Sequence, residues 1–327
     1  MPSTPSPRRA VLTAAATVVV AGALLLSGCG NEKDSNDKTA ASSSGTRRIT
    51  DATGRSVQAP STPKKVVALS EPTLDAALAL GIEPVGTTAG RGQTGVSTYL
   101  AAKASKAQVV ASVAQADLEK LAALQPDLIL LDQTTAAKSQ VTKLQAIAPT
   151  VVTAKLNEDW KKAFTATADA LNQKAQAAKI LDGFDADVTA TKKKLGANAG
   201  AVVSVVRWQN GAPSVVGKGV GHVGSTLSAL GLERPADQQG ASAGHSEPVS
   251  LEKLSTIDGD WLFFGTLGDR ADGEKAYATA KKVPNFARLK AEKEGHVVVV
   301  QGSAWNSAGG PLAARIVLAD LTKALTS

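Results

Sequence analysis

One unit occurs twice in this chain. Residues 118–132 read LEKLAALQPDLILLD, and residues 251–265 read LEKLSTIDGDWLFFG. Each opens as a short amphipathic helix with Leu-Glu-Lys-Leu, passes a turn holding an Asp, and ends in an apolar run. A related echo precedes each copy, LALGIEP before the first and SALGLERP before the second. The spacing from echo to unit differs between the halves. This predicts a pair of similar lobes, not a short-period solenoid.

Strand and helix signals alternate around both copies. In the first half the pattern gives a short strand after residue 46 and a strand at Val66–Leu69. A helix stopped by Gly81 and a strand start at Pro84-Val85-Gly86 follow. Residues 87–107 read as loop with a short helix around Tyr99. Then come a strand at Gln108–Ala111, the repeated unit with its buried strand Leu128–Leu131, a helix over 136–147 and a strand at Val151–Val152. Such alternation predicts a mostly parallel sheet with helices on both faces. Residues 157–195 carry no strand signal and no proline, and are rich in Ala, Lys, Gln and Leu. They read as helix, with a final rod of about 25 residues, roughly 35 Å long. After Gly196 the alternation restarts. A strand at Val202–Val206, a hairpin-like stretch, a helix over 223–230 stopped by Gly231 and the second unit lead to a helix around 276–281. A strand at Val297–Val300 and a last helix from Pro311 to Leu325 complete the half. The expected fold class is α/β, with two Rossmann-like lobes of mostly parallel sheet (49–156 and 197–327) joined by a single long connector helix within 157–196.

The N-terminus has its own logic. Arg8 and Arg9 precede an apolar segment too short for a bilayer span of about 20 residues, which fits a secretory h-region. Leu26-Ser27-Gly28-Cys29 resembles the lipobox of bacterial lipoproteins, which implies a signal peptide over 1–28 and acylation of Cys29, the single cysteine of the chain. Several acyl chains hold a protein on a membrane where one is marginal. Residues 29–48 then form a polar, Gly/Ser-rich tether. The formal net charge of +7 falls to +5 once Arg8 and Arg9 leave with the signal peptide. Its lysines are spread along helices without interleaved aromatics, which argues against nucleic-acid binding.

Taken in order, the lipobox, KKVVALSEPTLDAALALGIEPVG, the two LEKL units, the long central helix, GHVGSTLSALGLERP and WNSAGGPLAARIVLADL resemble the substrate-binding lipoproteins of ferric-siderophore ABC importers, of the hydroxamate type. That fold class, the class III periplasmic binding proteins, also includes cobalamin and haem binders. The resemblance covers residues 48–327. It implies ligand in the cleft between two lobes, delivery to a dimeric permease driven by an ATPase, no resident cofactor, no catalysis, a monomer, and a lipid-anchored site outside the cell membrane on a Gram-positive surface. It also gives the repeated unit a purpose, since Glu119 and Glu252 would each dock on an arginine pocket of one permease subunit. A glutamate in a first helical turn is favoured by the helix dipole in any case; two at matched positions favour docking.

Strand ends usually build the ligand site in α/β domains. Trp305, after a strand and among small residues, is the leading ligand contact, as in hydroxamate binders. Arg207 and Trp208 directly follow the strand Val202–Val206; the guanidinium suits paired anionic oxygens, and the indole suits an apolar skeleton. Tyr99 and Arg91 lie in the irregular stretch of the first lobe. One departure from the family is Val113, where some hydroxamate binders carry a ligand-gripping arginine. With few arginines in the expected cleft loops, a hydroxamate such as ferrioxamine, neutral or weakly cationic, fits better than a catecholate or citrate complex. The competing readings are a zinc or manganese binder, which His222, His245 and His296 are too scattered to serve, an exported hydrolase, and cobalamin or haem in the same fold, with His222 the one tempting axial ligand.

Overall fold

The structure, a computed structural model, describes residues 45–241 and 244–326. The expected signal peptide, Cys29 and nearly all of the expected tether lie outside these residues. The described chain opens with a hairpin of β1 (Thr46–Thr50) and β2 (Ser56–Pro60). β1 therefore starts inside the stretch read as tether. Ile49 is buried against Val57 and Ala59, and Arg47 donates to Asp169 at 2.9 Å.

The first lobe is a five-stranded parallel sheet in the order β5-β4-β3-β6-β7. Its strands are β3 (Val66–Ala68), β4 (Gly86–Thr88), β5 (Gln108–Ala111), β6 (Leu128–Leu131) and β7 (Thr150–Val152). Alternate side chains serve opposite faces. Val66, Leu128, Leu130 and Val151 pack against α1 (Glu71–Ala79) and α4 (Trp160–Ala170). Val67, Ile129, Leu131 and Val152 pack under α2 (Leu118–Ala123) and α3 (Val141–Gln145). With helices on both faces, the strands read as unbroken apolar runs. The helix expected over 136–147 is a 3₁₀ turn, Ala136–Gln140, followed by α3. The expected helix around Tyr99 is a series of turns.

The connector is shorter than the sequence suggested. The helical region breaks at Asn172, whose φ is 57°, so α4 stays with the first lobe and α5 (Lys174–Lys192) crosses alone. Ala177 of α5 lies in the core of the first lobe, while Phe184 and Val188 lie in the core of the second. Nineteen residues of helix span roughly 28 Å.

The second lobe is a four-stranded sheet in the order β11-β10-β8-β9. β8 (Val203–Gln209), β10 (Trp261–Gly265) and β11 (Val297–Val299) are parallel. β9 (Ala212–Val215) turns back on β8 through Asn210 and Gly211, both at positive φ, the backbone a two-residue hairpin loop requires. α6 (His222–Leu230), α5, α9 (Gly302–Trp305) and α10 (Pro311–Leu325) cover one face. α7 (Arg270–Ala280), α8 (Lys290–Lys293) and a 3₁₀ turn at Leu251–Ile257 cover the other. α7 starts well before the expected 276, because Asp269 caps it by accepting from the Asp272 N–H.

The two copies of the repeated unit occupy matched places. α2 leads to β6, which pairs with β3; the 3₁₀ turn at Leu251–Ile257 leads to β10, which pairs with β8. The shared turn Asp has one job in both. Asp127 accepts from the N–H groups of Lys64 and Lys65 as the chain enters β3, and Asp260 accepts from the N–H of Val202 as it enters β8. In each unit the fourth residue, Leu121 or Leu254, is fully buried.

Candidate functional site: a cavity between the lobes

A cavity of about 630 Å³ lies between the lobes, within the range of small-molecule sites. The first lobe contributes Pro72, Arg91, Asp132, Thr134 and residues 154–158; the second contributes Arg207, the loop after β9 and the segment from Trp305 to Gly309. Underneath, the lobes are bonded to one another. Asp75 of α1 accepts from the N–H groups of Leu312 and Ala313, each at 2.9 Å, and so caps α10 of the opposite lobe. The Tyr99 hydroxyl donates to the same carboxylate at 3.0 Å. Ser303 bonds to Thr98 and to the Tyr99 N–H, and the Ser307 hydroxyl donates to Glu71. Burial pushes the Asp75 carboxyl up to about 6, although the surrounding donors pull the other way; at neutral pH it is still ionised.

The structure brings Arg91 and Arg207 to one cavity and removes the other ligand candidates from it or turns them inward. Arg207 and Trp208 are inside β8, not after it. Period two therefore sends them to opposite faces. Arg207 faces the cavity, while Trp208 packs on Phe264 and Phe286 in the outer core. Trp305 stacks on Phe263 with centroids 4.8 Å apart, donates its indole N–H to Asp320 at 2.9 Å, and is 1% exposed. It also lines the cavity, but so little of it is exposed that most of its surface belongs to the core. Tyr99 belongs to the interlobe contact below the cavity. Val113 does not line the cavity; its carbonyl accepts from the Ala136 N–H. Glu119 and Glu252 are exposed, each the second residue of a capped turn, and their carboxylates have no ion-pair or hydrogen-bond partner among the described residues.

Charge at the cavity also differs from the expectation of few basic groups. Arg91 bonds to the Thr134 carbonyl at 3.2 Å. Lys155 and Lys218 join the two arginines on the lining, against the acids Asp132 and Glu158. Asp132 is held by the Ser70 hydroxyl and by the N–H and hydroxyl of Thr134, and burial raises its pKa. Glu158 pairs with Lys162. Arg207 is 5% exposed, and burial together with the Arg91 charge lowers its pKa. The sequence contained a signal for this second-lobe wall that went unread, the alternate glycines of GKGVGHVG.

His222 is buried at the first turn of α6, with Nε2 2.6 Å from the Ala304 carbonyl. Desolvation pulls its pKa down to about 4, so the ring is neutral and Nε2–H donates. That nitrogen is committed to the fold and the ring is 4% exposed, so a haem reading would rest on Nδ1 alone. His245 is exposed, and His296 stacks on Trp261; the three histidines sit on separate elements. A depressed folded pKa means that the unfolded chain binds the proton more tightly between about 6.5 and 4, so this group's stabilisation is lost as pH falls through that window. Between pH 7 and pH 5 the wild type should lose about 2 kcal/mol relative to His222→Gln, whose amide can still donate to Ala304. Urea unfolding of both proteins across pH measures it; parallel profiles would mean His222 does not titrate with folding.

The sequence pattern of the periplasmic binding protein family matches residues 66–304, most of the chain and both lobes. The chain belongs to the periplasmic binding protein family. Among relatives of this binding protein is YfiY of Bacillus subtilis (strain 168), named a probable siderophore-binding lipoprotein. It is 31% identical over 311 residues, 93% of this chain and 95% of that protein. The petrobactin-binding protein YclQ of the same organism is 30% identical over 308 residues, 90% of this chain and 92% of its own. The crystal structure of Staphylococcus aureus SirA complexed with staphyloferrin B superposes with a TM-score of 0.71 at 26% identity, covering 86% of this binding protein and 98% of SirA.

Proposed function

We propose that this protein is the extracytoplasmic solute-binding component of an ABC importer, capturing a ferric siderophore between its lobes and handing it to the permease. The observation that carries the reading is the interlobe cavity, where basic side chains from both lobes converge, Arg91 from one and Arg207 from the other. Its relatives' names support the ligand class. The protein acts as a monomer, held on the outer side of the cell membrane by lipid on Cys29. It has no catalytic role and no resident cofactor; iron arrives as cargo. The basic lining moves the ligand preference away from neutral ferrioxamines and toward complexes with anionic oxygens, because a cavity with surplus positive charge concentrates anions.

Docking is assigned to Glu119 and Glu252, one per lobe, on the dimeric permease. Their matched, exposed and unpartnered placement supports this. Replacing both with Ala should leave siderophore affinity of the purified protein unchanged, as read by Trp fluorescence titration, since neither lines the cavity. Radio-iron siderophore uptake by cells that carry only the variant should fall sharply, because both halves of the interface must engage together. Single variants should lie between. Normal uptake would remove the docking role. Failure of the wild-type protein to bind any ferric siderophore would remove the function itself.

A further inference from the structure

The loop between β9 and α6, Gly217-Lys218-Gly219-Val220-Gly221, forms part of the cavity wall. Gly217 and Gly219 sit at φ of 74° and 72°. The Gly217 and Gly219 carbonyls pack against Gly224, and an added Cβ there would lie 2.6 and 2.4 Å from them. Half-buried Arg234 donates to the carbonyls of Val216 and Gly217, fixing the loop from behind. The N–H groups of residues 218–223 have no hydrogen-bond partner among the described residues, and Gly221 caps α6 without any side-chain acceptor. Such a loop leading into a helix N-terminus presents donors and a favourable dipole to an anion. A second, independent observation points the same way. Arg207 lines the same cavity and is 5% exposed, yet no nitrogen of its guanidinium has a partner among the described residues, and its Nε is fully enclosed. A buried cation without a counter-ion is costly; an anionic ligand group supplies what the fold omits.

We infer that the 217–223 backbone and Arg207 together form an oxyanion cradle, a specificity subsite that takes a carboxylate-bearing ferric complex in preference to a neutral or cationic hydroxamate complex. This rests on the siderophore-capture reading above, and deepens it by assigning the ligand's charged oxygens to the second lobe.

The test uses ferric citrate as the anionic probe and ferrioxamine B as the cationic one, on purified protein. The wild type should bind ferric citrate more tightly. Arg207→Gln should weaken ferric citrate by roughly tenfold to a hundredfold, the scale of a charged hydrogen bond, and change ferrioxamine B little. Gly221→Pro isolates the backbone contribution. Gly221 has φ −64°, which proline adopts, and an added Cβ there meets nothing within 4 Å, so the change removes one N–H at little steric cost. It should weaken ferric citrate several-fold and spare ferrioxamine B, with thermal unfolding confirming that each variant is folded. Tighter wild-type binding of ferrioxamine B, or equal losses for both probes in both variants, would overturn the cradle while leaving siderophore capture standing. Binding of neither probe by the wild type would overturn both.

Discussion

Trp305→Ala should cost the unliganded protein about 3–5 kcal/mol, the range for a large aromatic deleted from a packed core, or on the order of 10 °C in Tm. The ring stacks on Phe263 and is enclosed by the apolar cluster that α5, α6 and α10 build on the second sheet. Its N–H also satisfies Asp320, which Arg270 holds from the other side at 3.0 Å. Removal therefore opens a void and takes one partner from a half-buried carboxylate. Thermal unfolding and a siderophore titration on the same preparation check this. Unchanged stability with lost affinity would return Trp305 to the ligand site.

Asp75→Ala should be nearly as damaging, about 2–4 kcal/mol. Helix N-caps are worth roughly 1 kcal/mol, and a buried donor left unmade adds about 1–3 kcal/mol. Here the same deletion strips the first turn of α10 and the Tyr99 hydroxyl of their acceptor. Asp75→Asn should fall between wild type and Ala, because one of its two acceptor oxygens survives. Urea denaturation with the three proteins in parallel gives the ranking. Equal stability of Ala and wild type would show that water replaces the carboxylate at no cost, which the enclosure of the site argues against.

What the sequence disclosed and what it hid divide along physical lines. β5, β6 and α10 were readable to the residue, because periodicity and flanking turn residues are local. The solvent-facing side of α7 carries no apolar stripe, so only its cap, Asp269 with Asp272 three residues on, marked the start. The faces of Arg207 and Trp208 were in fact decidable. Asn210-Gly211 implies a two-residue hairpin, a tight hairpin requires β8 to run up to it, and alternation then separates the pair. Trp305 was not decidable locally, since its enclosure depends on Phe263 and Asp320, both distant in the chain. The buried acids Glu71 and Asp75 were missed as interlobe ligands of backbone and hydroxyl donors; their trace is two carboxylates one helical turn apart in an otherwise apolar helix. The preference for hydroxamates rested on a count of cleft arginines alone, which left out Lys155 and Lys218 on the same lining.

Each sheet is woven from a contiguous stretch of chain, the first from residues 66–152 and the second from 203–299. Either can collapse from neighbours in sequence, with short loops to close. The cap on α10 is different, since Asp75 reaches Leu312 across 237 positions. Closing so long a loop from an unstructured chain is entropically expensive, and topologies rich in such contacts assemble slowly. Once both sheets exist, most of that distance is already folded and the remaining closure is small. The order of events is therefore written into the connectivity. The amino-terminal half supplies the acceptor, and the last helix of the chain, packed on its own sheet, meets it there. The cap on the last helix thus ties the far end of the chain to a residue laid down near its beginning.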